Sequence, residues 1–258
     1  MTTTFEQPEF SIAGRRALVT GASRGIGRDL ALSLALAGAQ VLAGVRRAED
    51  ADELAAEARS RQASVTPFVL DVTDVAGTRA AIDADAAANG PLAILVNNAG
   101  LGFNHDAVDV SEADWDAMMD VNLKGLFFVT QAVVRHMLAA EYGRVVNLSS
   151  QGGLVGIRRH AVYSASKGGV NLLTKVLALE WADRGVTVNA VAPTYIRTPG
   201  TAERLDDPEI AADILARIPA ARFGTTADVA GAVLYLASPA AGLVTGAVLP
   251  VDGGWTSQ

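Results

Sequence analysis

Short, almost wholly apolar runs alternate along this chain with longer stretches in which apolar residues return every three or four positions. The first pattern marks strands buried on both faces, and the second marks amphipathic helices. Strands are predicted at residues 16–20, 41–45, 65–70, 92–96, 144–148, 186–191 and 247–251. Helices are predicted at 26–37 (closed by Gly38), 51–62, 76–88, 163–182 and 226–237, with a long one starting near Ser111. The alternation predicts an α/β fold of Rossmann type, a doubly wound parallel sheet, as a single domain over residues 1–258. A TIM barrel has a similar rhythm, and the first strand-to-helix turn separates the two.

Composition narrows the chemistry. Half of the 258 residues are hydrophobic, the formal charge is −7 and there is no cysteine. The apolar share excludes disorder, and an acidic chain with scattered Lys and Arg argues against a nucleic-acid partner. Without cysteine there is no disulfide, thiolate metal site, cysteine nucleophile or iron–sulfur cluster. The three histidines, His105, His136 and His160, do not fall at metal-ligand spacing, so no metal site is predicted. Residues 1–13 lack the basic start and apolar run of a signal peptide. Gly or charge interrupts every apolar stretch before the ~18 residues of a membrane span. A cytoplasmic protein with no membrane partner is expected.

The first predicted strand runs into Thr20-Gly21-Ala22-Ser23-Arg24-Gly25-Ile26-Gly27, ahead of the first helix. Glycines at 21, 25 and 27 permit a tight turn and close backbone approach to a pyrophosphate. That group would sit on the helix N-terminus, where free N–H groups attract anions. Gly21, Ser23, Arg24, Gly25, Ile26 and Gly27 are therefore candidate cofactor contacts. The end of the second strand selects the cofactor: an acid there binds a ribose 2′-OH, whereas arginine accommodates a 2′-phosphate. Val45-Arg46-Arg47 supplies no acid, and Arg46, helped by Arg24, suits a phosphate. NADP(H) is the expected cofactor, with NAD(H) second. Pairing of Arg46 and Arg47 with Glu49 or Asp50 on a solvated loop is the competing explanation.

Tyr163 and Lys167 lie one helical turn apart on a shared helix face. A tyrosine titrates near ~10, and an adjacent ammonium, with a cationic nicotinamide when the cofactor is oxidised, is expected to lower that value and make the phenol a usable acid or base. Strand five ends in Ser149-Ser150, at the sheet edge where open α/β folds bind ligands. Either hydroxyl suits the substrate oxygen. Asn122 interrupts an otherwise apolar helix, and a buried amide there must find partners.

These segments together resemble the short-chain dehydrogenase/reductase family, over essentially residues 12–258. The glycine spacing matches its TGxxxGxG turn rather than GxGxxG, and Asn97-Asn98-Ala99-Gly100 matches its NNAG motif. The resemblance implies a carbonyl–alcohol oxidoreductase that transfers hydride. It implies catalytic roles for Asn122, Ser150, Tyr163 and Lys167, with Ser150 preferred over Ser149 because it precedes Tyr163 by thirteen residues. Lys167 would also hold the nicotinamide ribose, and Asn122 a water leading to Lys167. Further cofactor contacts implied are Asp71 and Val72 at the adenine, Asn98, Ala99 and Gly100 along the ribose, and Pro193, Ile196 and Thr198 at the carboxamide. Where relatives carry Gly after the proline, this chain has Thr194.

Residues 194–220 resemble the family's substrate flap, and 151–160 a pocket wall in which Arg158, Arg159 and His160 either meet an acidic substrate or simply face solvent. The helices holding residues 118–137 and 170–179 are apolar on more than one face, which by resemblance makes a homotetramer. Some relatives hold Mg²⁺ near the C-terminus, although no carboxylate cluster supports it here. The substrate is expected to be a small carbonyl or alcohol compound: an oxoacyl thioester, a sugar-derived ketone or polyol, or a hydrophobic ketone. An NAD(H)-dependent sugar or polyol dehydrogenase, a non-catalytic NADP(H) sensor and a sugar-nucleotide epimerase are the alternatives. The epimerase expects a larger C-terminal domain than this chain supplies.

Overall fold

Seven parallel strands form one sheet in the order β3-β2-β1-β4-β5-β6-β7. They are β1 (Arg16–Thr20), β2 (Gln40–Val45), β3 (Ser64–Val69), β4 (Ile94–Asn97), β5 (Gly143–Leu148), β6 (Val186–Pro193) and β7 (Val248–Val251). The computed structural model describes residues 6–257. The first residues of the polar stretch 1–13 and the terminal Gln258 lie outside the described residues. The order reverses between β1 and β4, as in the doubly wound dinucleotide fold. A crevice at the carboxyl ends follows from that reversal. No closed barrel forms.

Alternate residues of each central strand enter opposite cores. Ala17, Val19, Ile94, Val96 and Val146 pack on one face, beneath α1 (Gly25–Leu36) and α9 (Thr226–Ala237). Leu18, Leu95, Val145 and Val188 pack on the other. That second face is covered by α3 (Val75–Asn89), α5 (Leu126–Ala139) and α6 (Ala161–Trp181). Towards the β3 edge, α2 (Asp52–Ser60) joins α1 on the first face through Leu54 and Ala58. Both faces are dry, which explains the near-continuous apolar strands.

The helix expected from Ser111 begins with Ser111 as its cap, the hydroxyl accepting from the Asp114 N–H. It is not one regular helix. After α4 (Glu112–Met119) the backbone widens into a π-helical turn, Asp120–Gly125, before α5 resumes. The run Glu112–Ala139 is long and apolar enough by composition to cross a bilayer, and half of its apolar window is buried within the fold. A core helix passes the same test. Between β6 and α9 two short helices, α7 (Ala202–Asp206) and α8 (Pro208–Leu215), make a small cluster of Leu205, Ile214 and Ile218 against Tyr195, Phe223 and Trp255.

Candidate active site

The turn after β1 is shaped by its glycines. Gly21 and Gly25 hold φ of +66° and +58°, a region that L side chains avoid. A Cβ on Gly27 would collide with Asn98 Nδ2 and the Gly21 carbonyl oxygen. Asn98 explains this crowding, because its amide donates to the carbonyls of Thr20 (3.0 Å) and Gly21 (3.1 Å). In return the Thr20 hydroxyl accepts from the Asn98 and Ala99 N–H groups at 3.0 and 3.1 Å. The β1 and β4 ends are thereby clamped together. Thr20 was not singled out from the sequence, although its place at the strand end beside the turn was a signal. Arg24 occupies the N-cap of α1 without a side-chain cap, and the first turn holds no acid. The helix N-terminus is left open towards the crevice, a ready anion seat.

A cleft of about 990 Å³ runs from this turn across the sheet edge. Every predicted cofactor contact lines it, as do Ser150, Tyr163 and Lys167; Asn122 lies just behind. At its β2–β3 end, Val45 is buried, Arg46 is exposed, and Arg47 is tied to Asp50 at 2.6 Å. The loop-pairing explanation therefore holds for Arg47. Arg46 has no ion pair among the described residues and adds its positive field to Asp71. The Asp71 carboxylate accepts from the Thr73 hydroxyl (2.7 Å) and N–H (2.9 Å), which hold it below the usual carboxylate range, with Arg46 assisting. Across the cleft Thr198 faces Gly25, while Ile196 is 3 % exposed and packs over Gly224. Thr194 donates its N–H to the Val251 carbonyl at 3.2 Å and has no positive φ, so this backbone does not need glycine there.

At the other end, Tyr163 and Lys167 stand in the first two turns of α6, with Lys167 Nζ 5.8 Å from the phenol ring centroid. Lys167 is buried and donates to the Leu148 carbonyl at 2.7 Å. Burial pushes its pKa down to about 8. Burial also raises Tyr163, with the nearby Ser150 hydroxyl opposing. The expectation of a tyrosine lowered by lysine is corrected here. Desolvation dominates, and the phenol is held protonated at neutral pH. The two serines differ plainly. Both border the cleft, but Ser149 donates to Asn171 Oδ1 at 2.6 Å, whereas Ser150 sits beside Tyr163 and accepts from the Gly152 N–H at 3.1 Å.

Asn122, fully buried, lies in the π-helical turn, a distortion frequent at functional sites. Its Oδ1 accepts from the Leu101 N–H (2.7 Å), and its Nδ2 donates to the Leu101 carbonyl (2.8 Å) and to Ser166 Oγ (3.1 Å). Backbone thus satisfies this amide, while a Cβ on Gly100 would lie 3.4 Å from its Oδ1 and 3.7 Å from Lys167 Nζ. Arg159 adopts φ +65° and pairs with Asp106 at 3.5 Å. Neither Arg159 nor Arg158, which is exposed, belongs to the cleft lining. His160 alone of that trio lines the cleft. Among the described residues no three His, Asp or Glu side chains cluster to hold a metal.

A family model described as enoyl-(acyl carrier protein) reductase matches residues 21–256. The chain is 43 % identical to a galactitol 2-dehydrogenase (L-tagatose-forming) of Cereibacter sphaeroides, covering 96 % of this chain and 97 % of that protein. It is also 43 % identical to a 3-oxoacyl-[acyl-carrier-protein] reductase of Thermotoga maritima, covering 94 % and 98 %. A solved gluconate 5-dehydrogenase from Burkholderia cenocepacia, in complex with NADP and tartrate, superposes with a TM-score of 0.93 at 41 % identity, over 96 % of this chain and 98 % of that one. Fold, motif order and these relatives agree that the chain belongs to the short-chain dehydrogenase/reductase family and is an oxidoreductase that interconverts a carbonyl and an alcohol.

Proposed function

We propose that the protein binds NADP(H) along the cleft and reduces a small carbonyl compound, or oxidises the matching secondary alcohol, with Tyr163 as general acid and base. The observation that carries this is the convergence of Ser150, Tyr163 and Lys167 on the wall of the cleft that also contains the glycine turn. The turn fits a dinucleotide: side chains are excluded at Gly21 and Gly27, and the α1 N-terminus lacks a cap. Gly21, Ser23, Arg24, Gly25, Ile26 and Gly27 would hold the pyrophosphate, and Arg46 with Arg24 the 2′-phosphate. Asp71, Val72, Asn98, Ala99, Gly100, Pro193, Ile196 and Thr198 would line the remainder. When bound, the nicotinamide supplies or accepts the hydride.

Ser150 orients the substrate oxygen by hydrogen bonding, and Tyr163 delivers its proton to that oxygen during reduction or removes it during oxidation. Lys167, cationic below about pH 8, stands beside the phenol and would donate to the ribose. Asn122 keeps the 100–102 backbone in place beside Lys167 and is suited to hold a water on the proton path. Residues 194–220, with α7 and α8, form the flap over the substrate. A homotetramer is supported by large apolar side chains left on the surface of α6, Leu179 at 85 % and Leu172 at 65 % exposed. A cytoplasmic location accords with this chemistry.

The test is NADPH absorbance across ketones, oxoacyl thioesters and sugar-derived ketones. Tyr163→Phe is expected to bind NADPH as the unaltered protein does and to lose at least ~100-fold in rate. Retained turnover in that variant removes Tyr163 from the mechanism. A flat trace on every substrate leaves a cofactor-binding sensor.

A further inference from the structure

The two ends of the cleft differ in their carboxylates. Among the described residues its lining carboxylates are Asp50 and Asp71, both towards β2 and β3, where Arg24, Arg46 and Arg47 also line it. Around Tyr163 the lining instead carries Arg204, His160 and Lys167, with no Asp or Glu. Arg204 stands on α7, half-buried, with its guanidinium carbon 5.3 Å from the centroid of the Tyr195 ring. Its neighbours in charge are already matched: Arg197 with Asp206, Arg159 with Asp106. Arg204 has no carboxylate partner among the described residues. A partly desolvated guanidinium in that position calls for an anion.

Uncharged partners are also short there. Gln151 is 2 % exposed, and its Oε1 has no hydrogen-bond partner; the Thr194 hydroxyl is buried and equally unpartnered. Both residues line the cleft. His160 Nδ1 lies 2.7 Å from the Arg158 carbonyl, so that nitrogen carries the proton and Nε2 is left to accept. Its ring centroid is 6.1 Å from that of Tyr163. Burial lowers the pKa of the imidazole, opposed by the bond to the Arg158 carbonyl and helped by the fields of Arg204 and Arg159.

We infer that this end of the cleft is built for a polyhydroxylated monocarboxylate, a sugar acid, with its carboxylate on Arg204 and its hydroxyls donating to Gln151 and His160 Nε2. This rests on the redox reading of the same cleft and names its substrate class. A neutral polyol leaves Arg204 without its anion. An acyl thioester leaves Gln151 and His160 without donors, and buried polar groups left unpaired select against such ligands.

The experiment compares kcat/KM for a panel of four- to six-carbon aldonates with alditols of matching stereochemistry and with a 3-hydroxybutyryl thioester, all as oxidations with NADP⁺. At least one aldonate is expected to exceed its alditol and the thioester by about tenfold or more. Arg204→Gln is expected to lower the aldonate-to-alditol ratio by about ten- to a hundredfold, through KM, the range for a charge-assisted hydrogen bond. Arg204→Lys restores part of it. The inference is overturned if no aldonate leads, or if the ratio survives Arg204→Gln. Should the unaltered protein turn over nothing, the redox reading fails separately, and calorimetric titration of the same aldonates into the NADP-loaded protein decides the substrate class. Binding weakened in Arg204→Gln upholds it, and absent or unaltered binding overturns it.

Discussion

Burial and charge pull the two titratable groups at 163 and 167 in ways that spacing alone does not reveal. A Tyr-x-x-x-Lys pair read on a helix suggests a depressed phenol. In the folded chain both groups are desolvated, so the lysine falls to about 8 and the tyrosine rises. The same distinction separates the arginines after β2. Arg46 and Arg47 are neighbours that both border the cleft, yet Arg47 is drawn into the Asp50 pair and Arg46 has no ion pair among the described residues. Arg46→Asp is therefore expected to shift the ratio of NADP(H) to NAD(H) efficiency by about ten- to a hundredfold towards NAD(H), the worth of a charged hydrogen bond to phosphate. Steady-state kinetics with both cofactors checks this. If the unaltered protein already favours NAD(H), Arg46 is not a phosphate ligand.

Among the elements, the β1–α1 turn is the part most legible in advance, because its glycines answer a backbone requirement that is local. Their packing partner was not legible. Asn98 arrives from β4, about seventy residues further on, and its amide fills the space against Gly27. Gly27→Ala is expected to destabilise the fold by about 1–3 kcal/mol through overpacking, and to weaken NADPH binding by displacing Asn98 from the turn. Thermal unfolding and fluorescence titration measure the two effects. Unaltered melting and affinity together would show that the turn yields freely. The π-helical turn at Asp120–Gly125 was equally hidden. Helical periodicity expresses an average over many residues, whereas one widened turn depends on the Asn122 amide finding the Leu101 backbone.

For the whole molecule, the apolar surface of α6 sets an expectation about assembly. Leu179 and Leu172 are too exposed to serve the monomer's core. With Met119, Leu123, Phe127 and Leu173 the latter borders a nearly apolar groove between α4, α5 and α6. A second copy of the chain is the proposed occupant. Leu179→Glu is expected to lower the mass seen by light scattering from a tetramer to a smaller species, since charge at an apolar interface core is costly. A monomer in the unaltered protein would refute the assembly.

Periodicity, glycine placement and motif order were enough to specify the doubly wound sheet, the tight glycine turn after β1 and the tyrosine–lysine pair on one helix. All of these depend on residues close in the chain, or on strands whose two faces must both be dry. Spacing to Tyr163 already favoured Ser150 over Ser149, whereas tertiary structure alone decided where the second serine is bonded, which arginine stays unpaired and which polar atoms lack partners. Ser149 is spent on Asn171, Arg47 on Asp50 and Arg197 on Asp206. Those partnerships, some from distant segments and some from neighbouring turns, turn on distance and desolvation, quantities that exist only once the chain has closed on itself.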